Sequence, residues 1–423
     1  MRILFLSIGM PDLSTTQSEM YGDLLRELDR RGYEITIIAP ANKTNSCRIE
    51  KEGDFTVLRV PLKPFRGNIP FYKKGIRILL MSQKYKLAYK KYLKNVHFDI
   101  VMMATPPATL VDVAELIKKR SGAKLYLILR DIHPECLNRK HVPQETLNRT
   151  DVYDECKKGF GVNYFVYKLL YVKSQKLYKL SDWIGCMSPQ NQEYIQSIAP
   201  YLDKSKIVLL PNWYNNELNS ISNDDADKFI KKYNLENKYI AIFGGTIGPA
   251  QAIWNIASLA KHCLDRSDIV FVIIGRGWKK RTLEEIAKKD NLTNMLFFEY
   301  MPKKDYESIL QRADVGLISI DEKYTVPTCP SKVIGYMSLA KPVVAMFNKG
   351  NDYGEFYIDK AGCGLWSVGL DNERMFSNFD WIYNHKEERI QMGKSGYDYF
   401  KENLTTEAVC NILCEQIKNN DSQ

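Results

Sequence analysis

Two stretches of this chain have no acidic residue, no run in it approaches the length of a membrane span, and its cysteines form no CxxC pair. Each absence excludes something. A membrane-crossing helix needs about 18–20 consecutive apolar residues, so none is expected. The nine cysteines are scattered, which points to reduced thiols in a cytosolic compartment instead of a disulfide framework. Cys136, His141 and Cys156 share a polar loop, but their spacing fits no common zinc module, so neither metal nor cofactor is expected. The opening MRILFLSIGMPDL has a positive residue and a short apolar run but no small-residue cleavage site, and it reads as a first strand, not a signal peptide.

The missing acids concentrate a net charge of +10. Between Asp54 and Asp99, Arg66, Lys73, Lys74, Arg77, Lys84, Lys86, Lys90, Lys91 and Lys94 accumulate among Phe65, Phe71, Tyr72, Tyr85, Tyr89 and Tyr92. From Lys157 to Ser181 the mixture recurs, with Lys168, Lys173, Lys176 and Lys179 beside Tyr164, Phe165, Tyr167 and Tyr171. Basic side chains attract anionic headgroups at roughly 1 kcal/mol each, and aromatic rings settle at the interface. Two such helices suit docking on an anionic membrane surface; the plainer reading is a solvated basic face over a core-facing aromatic stripe. No nucleic-acid motif accompanies the charge.

What the chain has in abundance is alternation. Runs such as RILFLSI, EITIIAP, FTVLRV, DIVMMAT, KLYLILR, DWIGCMS and KIVLL alternate with helical patterns, as do YIAIFGG, IVFVIIG, MLFFEYM, VGLISI, PVVAMF and GLWSV later. The first helix, from about Thr16 to Arg31, puts Met20, Leu24, Leu25 and Leu28 on one face. The alternation predicts an α/β chain with parallel sheets covered on both faces. The polar segment 211–238 interrupts it, so the division is 1–211, 212–400 and a final helix, 401–423, that could cross back to the first domain. Two doubly wound halves bind ligands beyond their strands' carboxyl ends, which puts the expected site between facing halves. The polar loop Cys136–Gly159 is a lid, an insertion or disordered chain.

Three strand-to-helix junctions carry the chemistry. Gly244, Gly245, Thr246, Ile247, Gly248 and Pro249 follow a strand, and the glycines allow a phosphate to approach, unless the segment is a tight turn only. Gly275-Arg276-Gly277 repeats the arrangement, where Arg276 or Lys279 reaches an anion or water. PSKVIGYMSLAKPVVA at 330–345 puts Pro330, Ser331 and Lys332 at a helix start, where free amides, a hydroxyl and an ammonium make an anion seat. A nucleoside diphosphate suits all three.

The order GGTIGPAQ, IIGRG, PSKVIGYMSLAKPVVA resembles the donor domain of the retaining GT4 glycosyltransferases, with the two-domain GT-B fold of two Rossmann-like domains. RDIHPE at 130–135 and IGCMSPQNQEYI resemble the subgroup that builds surface polysaccharide and O-antigen units. The resemblance implies a cytoplasmic enzyme, peripheral at the inner face of the membrane. It would move a sugar from a nucleoside diphosphate sugar, most often uridine-based, to a lipid-linked (polyprenyl diphosphate) saccharide. The family's diphosphate-gripping Arg and Lys align with Thr246 and Gln251, and its two glutamates with Pro327 and Gly335. Lys332 therefore becomes the leading cation for the departing diphosphate, helped by Ser331 and Arg276. Arg130, Asp131, His133 and Glu135 stand at a strand end, where Asp131 and His133 would bond the donor sugar or acceptor hydroxyl, His133 being structural otherwise. Ser14, Thr15 and Thr16 occupy the acceptor-side loop or merely cap a helix. Tyr300 and Met301 lie where a nucleobase often sits. Rival readings are a nucleotide-sugar epimerase on the same fold and a binding subunit without catalysis.

Overall fold

The computed structural model describes residues 1–421 apart from 10–19, 42–45, 64–68, 133, 135–157, 216–222, 249, 278, 323, 325, 328, 349–350 and 370. The chain divides into two compact units: one takes in the described residues to Pro211 and the chain from Val409, the other is Asn212–Ala408.

The first unit is built on β1 (Arg2–Leu6), β2 (Glu34–Ala41), β3 (Arg48–Glu52), β4 (Phe55–Pro61), β5 (Ile100–Ala104), β6 (Lys124–Ile128), β7 (Trp183–Cys186) and β8 (Ile207–Leu209). Their order is β3-β4-β2-β1-β5-β6-β7-β8. All neighbours run parallel except β3 against β4. Runs of β-branched and aliphatic residues with no polar face, as in β1 and β5, are what a sheet buried on both sides demands. Such runs announce themselves in the sequence.

Strand β3, with the sequence RIEKE, is not predicted from any apolar run. It forms because it pairs antiparallel to β4, with Glu52 opposite Phe55 and Glu50 opposite Val57. Arg59 of β4 binds Glu52 at 2.6 Å through Nε and Glu50 at 3.2 Å. Charged side chains on this edge also discourage pairing with another chain.

The second unit carries β9 (Tyr239–Thr246), β10 (Ile269–Arg276), β11 (Met295–Phe298), β12 (Val315–Ser319), β13 (Val343–Phe347) and β14 (Gly364–Val368). They form one parallel sheet in the order β11-β10-β9-β12-β13-β14. One core lies on each face, Ile242, Val272 and Tyr336 in one and Phe243, Phe271 and Leu317 in the other. The interrupting polar segment is not all linker: its 223–232 portion is helical and buries Ala226 and Ile230. Among the described residues, no helix is long and apolar enough to cross a membrane.

Both sheets reverse their direction of winding once. In the first unit the reversal falls between β1 and β5, and in the second between β9 and β12. Crossovers leave these positions in opposite directions, opening a crevice at the strands' carboxyl ends. The candidate sites lie there.

Candidate functional site

In the second unit, β9 runs further than the glycine pattern suggests. Gly244 and Gly245 are strand residues, and Gly245 and Thr246 pair with Gly275 and Arg276 of β10. Gly244 is dictated by packing instead of ligand approach: a Cβ there would lie 2.2 Å from the Tyr306 hydroxyl. Cβ atoms on Gly275 and Gly277 would come within 1.9 Å of the Gly245 carbonyl and 2.1 Å of the Ile247 carbonyl. These glycines let two strand ends abut. Gly245, at φ +101°, is the one of the four with open space where a Cβ would be, and both it and Thr246 are exposed. Ile247 is buried in the core. The Gln251 carboxamide oxygen accepts from the Gly248 N–H at 2.8 Å and so locks the turn.

Arg276 ends β10 with its guanidinium carbon 4.5 Å from the Tyr300 ring centroid. Tyr300 is 57% exposed, so the pair offers a cation and an aromatic face at the strand ends. Met301 instead packs against the core beneath. Lys280, not singled out by the sequence, bonds the Phe298 carbonyl at 2.9 Å and Glu299 at 2.6 Å, fixing the segment that carries Tyr300.

The PSK segment differs from its expected form. The helix begins only at Lys332 and ends at Ser338, so Pro330 and Ser331 precede it, and Ser331 makes no side-chain cap. Seven residues generate little macrodipole. The ammonium itself carries the site: Lys332 Nζ is buried, has no hydrogen-bond partner among the described residues and sits 3.7 Å from the Phe243 ring centroid. Its stem remains half-buried, while desolvation of the tip pulls its pKa down to about 7. An unsolvated ammonium near β9 is poised for an anion and has already lost most of its water.

In the first unit, Arg130 is a clamp. Its guanidinium donates to the carbonyls of Leu129, Leu210 and Pro211 at 3.0, 3.2 and 3.3 Å, and its N–H donates to Thr105 Oγ1 at 3.0 Å. These bonds hold the ends of β5, β6 and β8 together. Asp131, next along, touches solvent although protein crowds it on most sides. Burial raises its carboxyl pKa and Arg130 opposes the rise. His133, Glu135, Ser14, Thr15, Thr16, Cys136, His141 and Cys156 lie outside the described residues.

A cavity of about 380 Å³ opens at the winding reversal, lined by Ser7, Gly9, Tyr21, Thr105 and Pro106 among others. Tyr21 is absent from the sequence reading. Its phenol is raised chiefly by burial, with Arg130 lowering it and Asp131 raising it, which ties the cavity to the RDIHPE segment. An aromatic in the first described turn after β1 was the available signal.

The two basic helices, Phe71–Ala88 and Val162–Leu180, pack together at Gly75, where a Cβ would be 2.5 Å from Val166 Cγ1. The aromatics divide between core and surface. Tyr85 and Tyr89 are core residues, and Lys173 and Lys176 are committed to Asp112, with Lys176 also on Glu115. The exposed apolar and aromatic side chains are Tyr72, Ile76, Leu80 and Leu87 on one helix and Val162, Phe165, Tyr171 and Val172 on the other, with Phe160 72% exposed beside them. Among the described residues no group of three His, Cys, Asp or Glu side chains could hold a metal.

Residues 225–399 match the family model described as glycosyl transferases group 1. The chain is 25% identical over 267 residues to the probable glycosyltransferase WbjE of Pseudomonas aeruginosa, covering 63% of this chain and 61% of that protein. The match thus spans less than two thirds of this curated relative. Sucrose-phosphate synthase from Thermosynechococcus elongatus superposes with a TM-score of 0.72 at 13% identity, over 100% of this chain and 99% of the other. HepE from Anabaena, solved with UDP and glucose, superposes at 0.63 and 12% identity, over 99% and 100%. The chain has the GT-B fold, and its second unit resembles the group 1 glycosyl transferases through most of its length.

Proposed function

We propose that the protein is a glycosyltransferase that moves a sugar from a nucleoside diphosphate sugar, a uridine-based one first among the candidates, to a lipid-linked saccharide. The family match over residues 225–399 carries this reading. The second unit binds the donor: Gly245 and Thr246 offer exposed backbone at the end of β9, Arg276 and Tyr300 present a cation and a ring, and Lys332 supplies a desolvated ammonium. Breaking the sugar–phosphate bond releases a diphosphate with growing negative charge, and a cation already in place lowers that barrier. With retention, the leaving phosphate itself accepts the acceptor's proton. Asp131 and the Tyr21 cavity then belong to the acceptor side.

The exposed apolar stripe on the two basic helices supports docking on an anionic membrane surface, where a lipid-linked acceptor resides. Ile76, Leu80 and Leu87 share one helix face, and lysines flank them. A donor panel tests the reading directly. One nucleotide sugar should raise the melting temperature and be consumed only with a polyprenyl diphosphate saccharide present. Isomerisation of the donor without transfer would make the protein an epimerase, and binding without turnover a binding subunit.

A further inference from the structure

The last helix, Thr406–Asp421, carries Cys410 and Cys414 one turn apart, with Sγ atoms 3.9 Å from each other. Neither is part of the donor or acceptor chemistry. Both are free, Cys410 wholly buried and Cys414 6% exposed. Arg31, just beyond the Met20–Arg30 helix, points Nη1 at Cys414 Sγ from 3.9 Å, and that same Nη1 donates to Asn411 at 2.7 Å. Its Nε donates to Glu27 at 2.7 Å, so the guanidinium is braced on two sides. The Tyr33 hydroxyl completes the ring of donors around Cys414. The Cys410 thiol, donating to its neighbour, does most to lower the Cys414 pKa to about 6, Tyr33 and Arg31 add to this, and burial opposes it. Cys410 is pushed up in turn, so it holds the shared proton.

We infer that Cys410 and Cys414 form a peroxide-reactive dithiol site at the seat of the final helix, with Cys414 the attacking thiolate and Cys410 the resolving thiol. Cys414 sulfur attacks one peroxide oxygen; the O–O bond breaks, an S–O bond forms, and the departing hydroxide is protonated to water. The Cys410 sulfur then attacks the sulfenic sulfur: an S–S bond forms, the S–O bond breaks, and the leaving hydroxide takes the Cys410 proton. The two thiols lose two electrons and the peroxide gains them. Residues four apart on a helix have Cα atoms about 6 Å apart, within disulfide range, but their Cβ atoms are farther apart than a relaxed disulfide allows. The turn must tighten, so the bond is strained and easily reduced, the property of a reversible site in contrast to a structural one.

Digestion after lysine gives a peptide, Glu402–Lys418, that contains these two cysteines and no other. Hydrogen peroxide in small excess at pH 7 should lower the mass of that peptide by two hydrogens, and dithiothreitol should restore it. Dimedone should label Cys414 in Cys410→Ser, and iodoacetamide should alkylate Cys414 in the unoxidised parent about tenfold faster than Cys47. If the peptide keeps both thiols under conditions that oxidise Cys47, or gains oxygen at each sulfur separately, the inference is wrong. The parent protein alone decides this, whether or not Cys410→Ser folds, and the readout is independent of any transferase activity.

Discussion

Lys332 has a charged group that folding has stripped of water without giving it a hydrogen-bond partner among the described residues. The native state therefore binds fewer protons than the unfolded chain between about pH 7, its folded pKa, and the ordinary lysine range near 10.4. The sign follows: the ammonium's cost to stability is complete below pH 7 and disappears as pH rises past 10. Lys332→Met should accordingly be more stable than the parent at pH 6, by several kcal/mol at most, and its advantage should shrink at pH 9.5. Urea midpoints at the two pH values measure this; a difference that ignores pH would show that the amine is not buried in its charged form. For catalysis, Lys332→Ala should lose about 2–4 kcal/mol of transition-state stabilisation, read as a fall in kcat/KM of roughly thirtyfold to a thousandfold. Turnover within threefold of the parent would remove Lys332 from the mechanism. The PSK lysine was legible as a conspicuous cation because it enters an apolar helix. Its burial over Phe243 was not, since Phe243 lies ninety residues away in sequence and only the fold of β9 brings it there. Arg130 shows the same limit: its type and place at a strand end were visible, but not the three carbonyls that occupy it.

Elements were read best where their chemistry is local. Buried parallel strands declare themselves through continuous apolar residues, and every such run named in the sequence is a strand. The exception, β3, depends on cross-strand ion pairs that no local pattern reveals. Arg59→Met should destabilise the first unit by about 3–5 kcal/mol, because it takes away the guanidinium that offsets the buried Glu52 carboxylate, whereas Arg59→Met with Glu52→Leu should recover much of the loss. Thermal melts of the single and double variants compare them. The two basic helices make a second prediction at this scale. Leu80→Ser, Leu87→Ser and Val172→Ser together should reduce sedimentation with vesicles rich in phosphatidylserine, while leaving the melting temperature nearly unchanged because all three side chains are exposed. Vesicle binding that survives the triple change would remove the apolar stripe from the docking surface.

At the scale of the whole molecule, the first unit is not one stretch of chain. It is finished by Val409, Cys410, Leu413 and Ile417, all buried. Gln416 links them to the sheet, donating to the Leu209 carbonyl at 2.8 Å and accepting from the Tyr126 hydroxyl at 2.5 Å. A fragment ending at Pro211 should melt at lower temperature than one in which residues 409–421 are rejoined through a flexible linker. Equal melting temperatures would show that the helix is dispensable. The return of the tail could be suspected from the sequence, as a helical pattern remaining after the second sheet was complete, but its seat is set by contacts across some two hundred residues.

Because the chain leaves its first half, builds a second sheet and comes home, the second unit is inserted into the first like a clause between commas. Both covalent joins lie at the borders of that insert, near 211 and 408. Nature or a laboratory could exchange the clause for another of the same length while keeping the sentence around it.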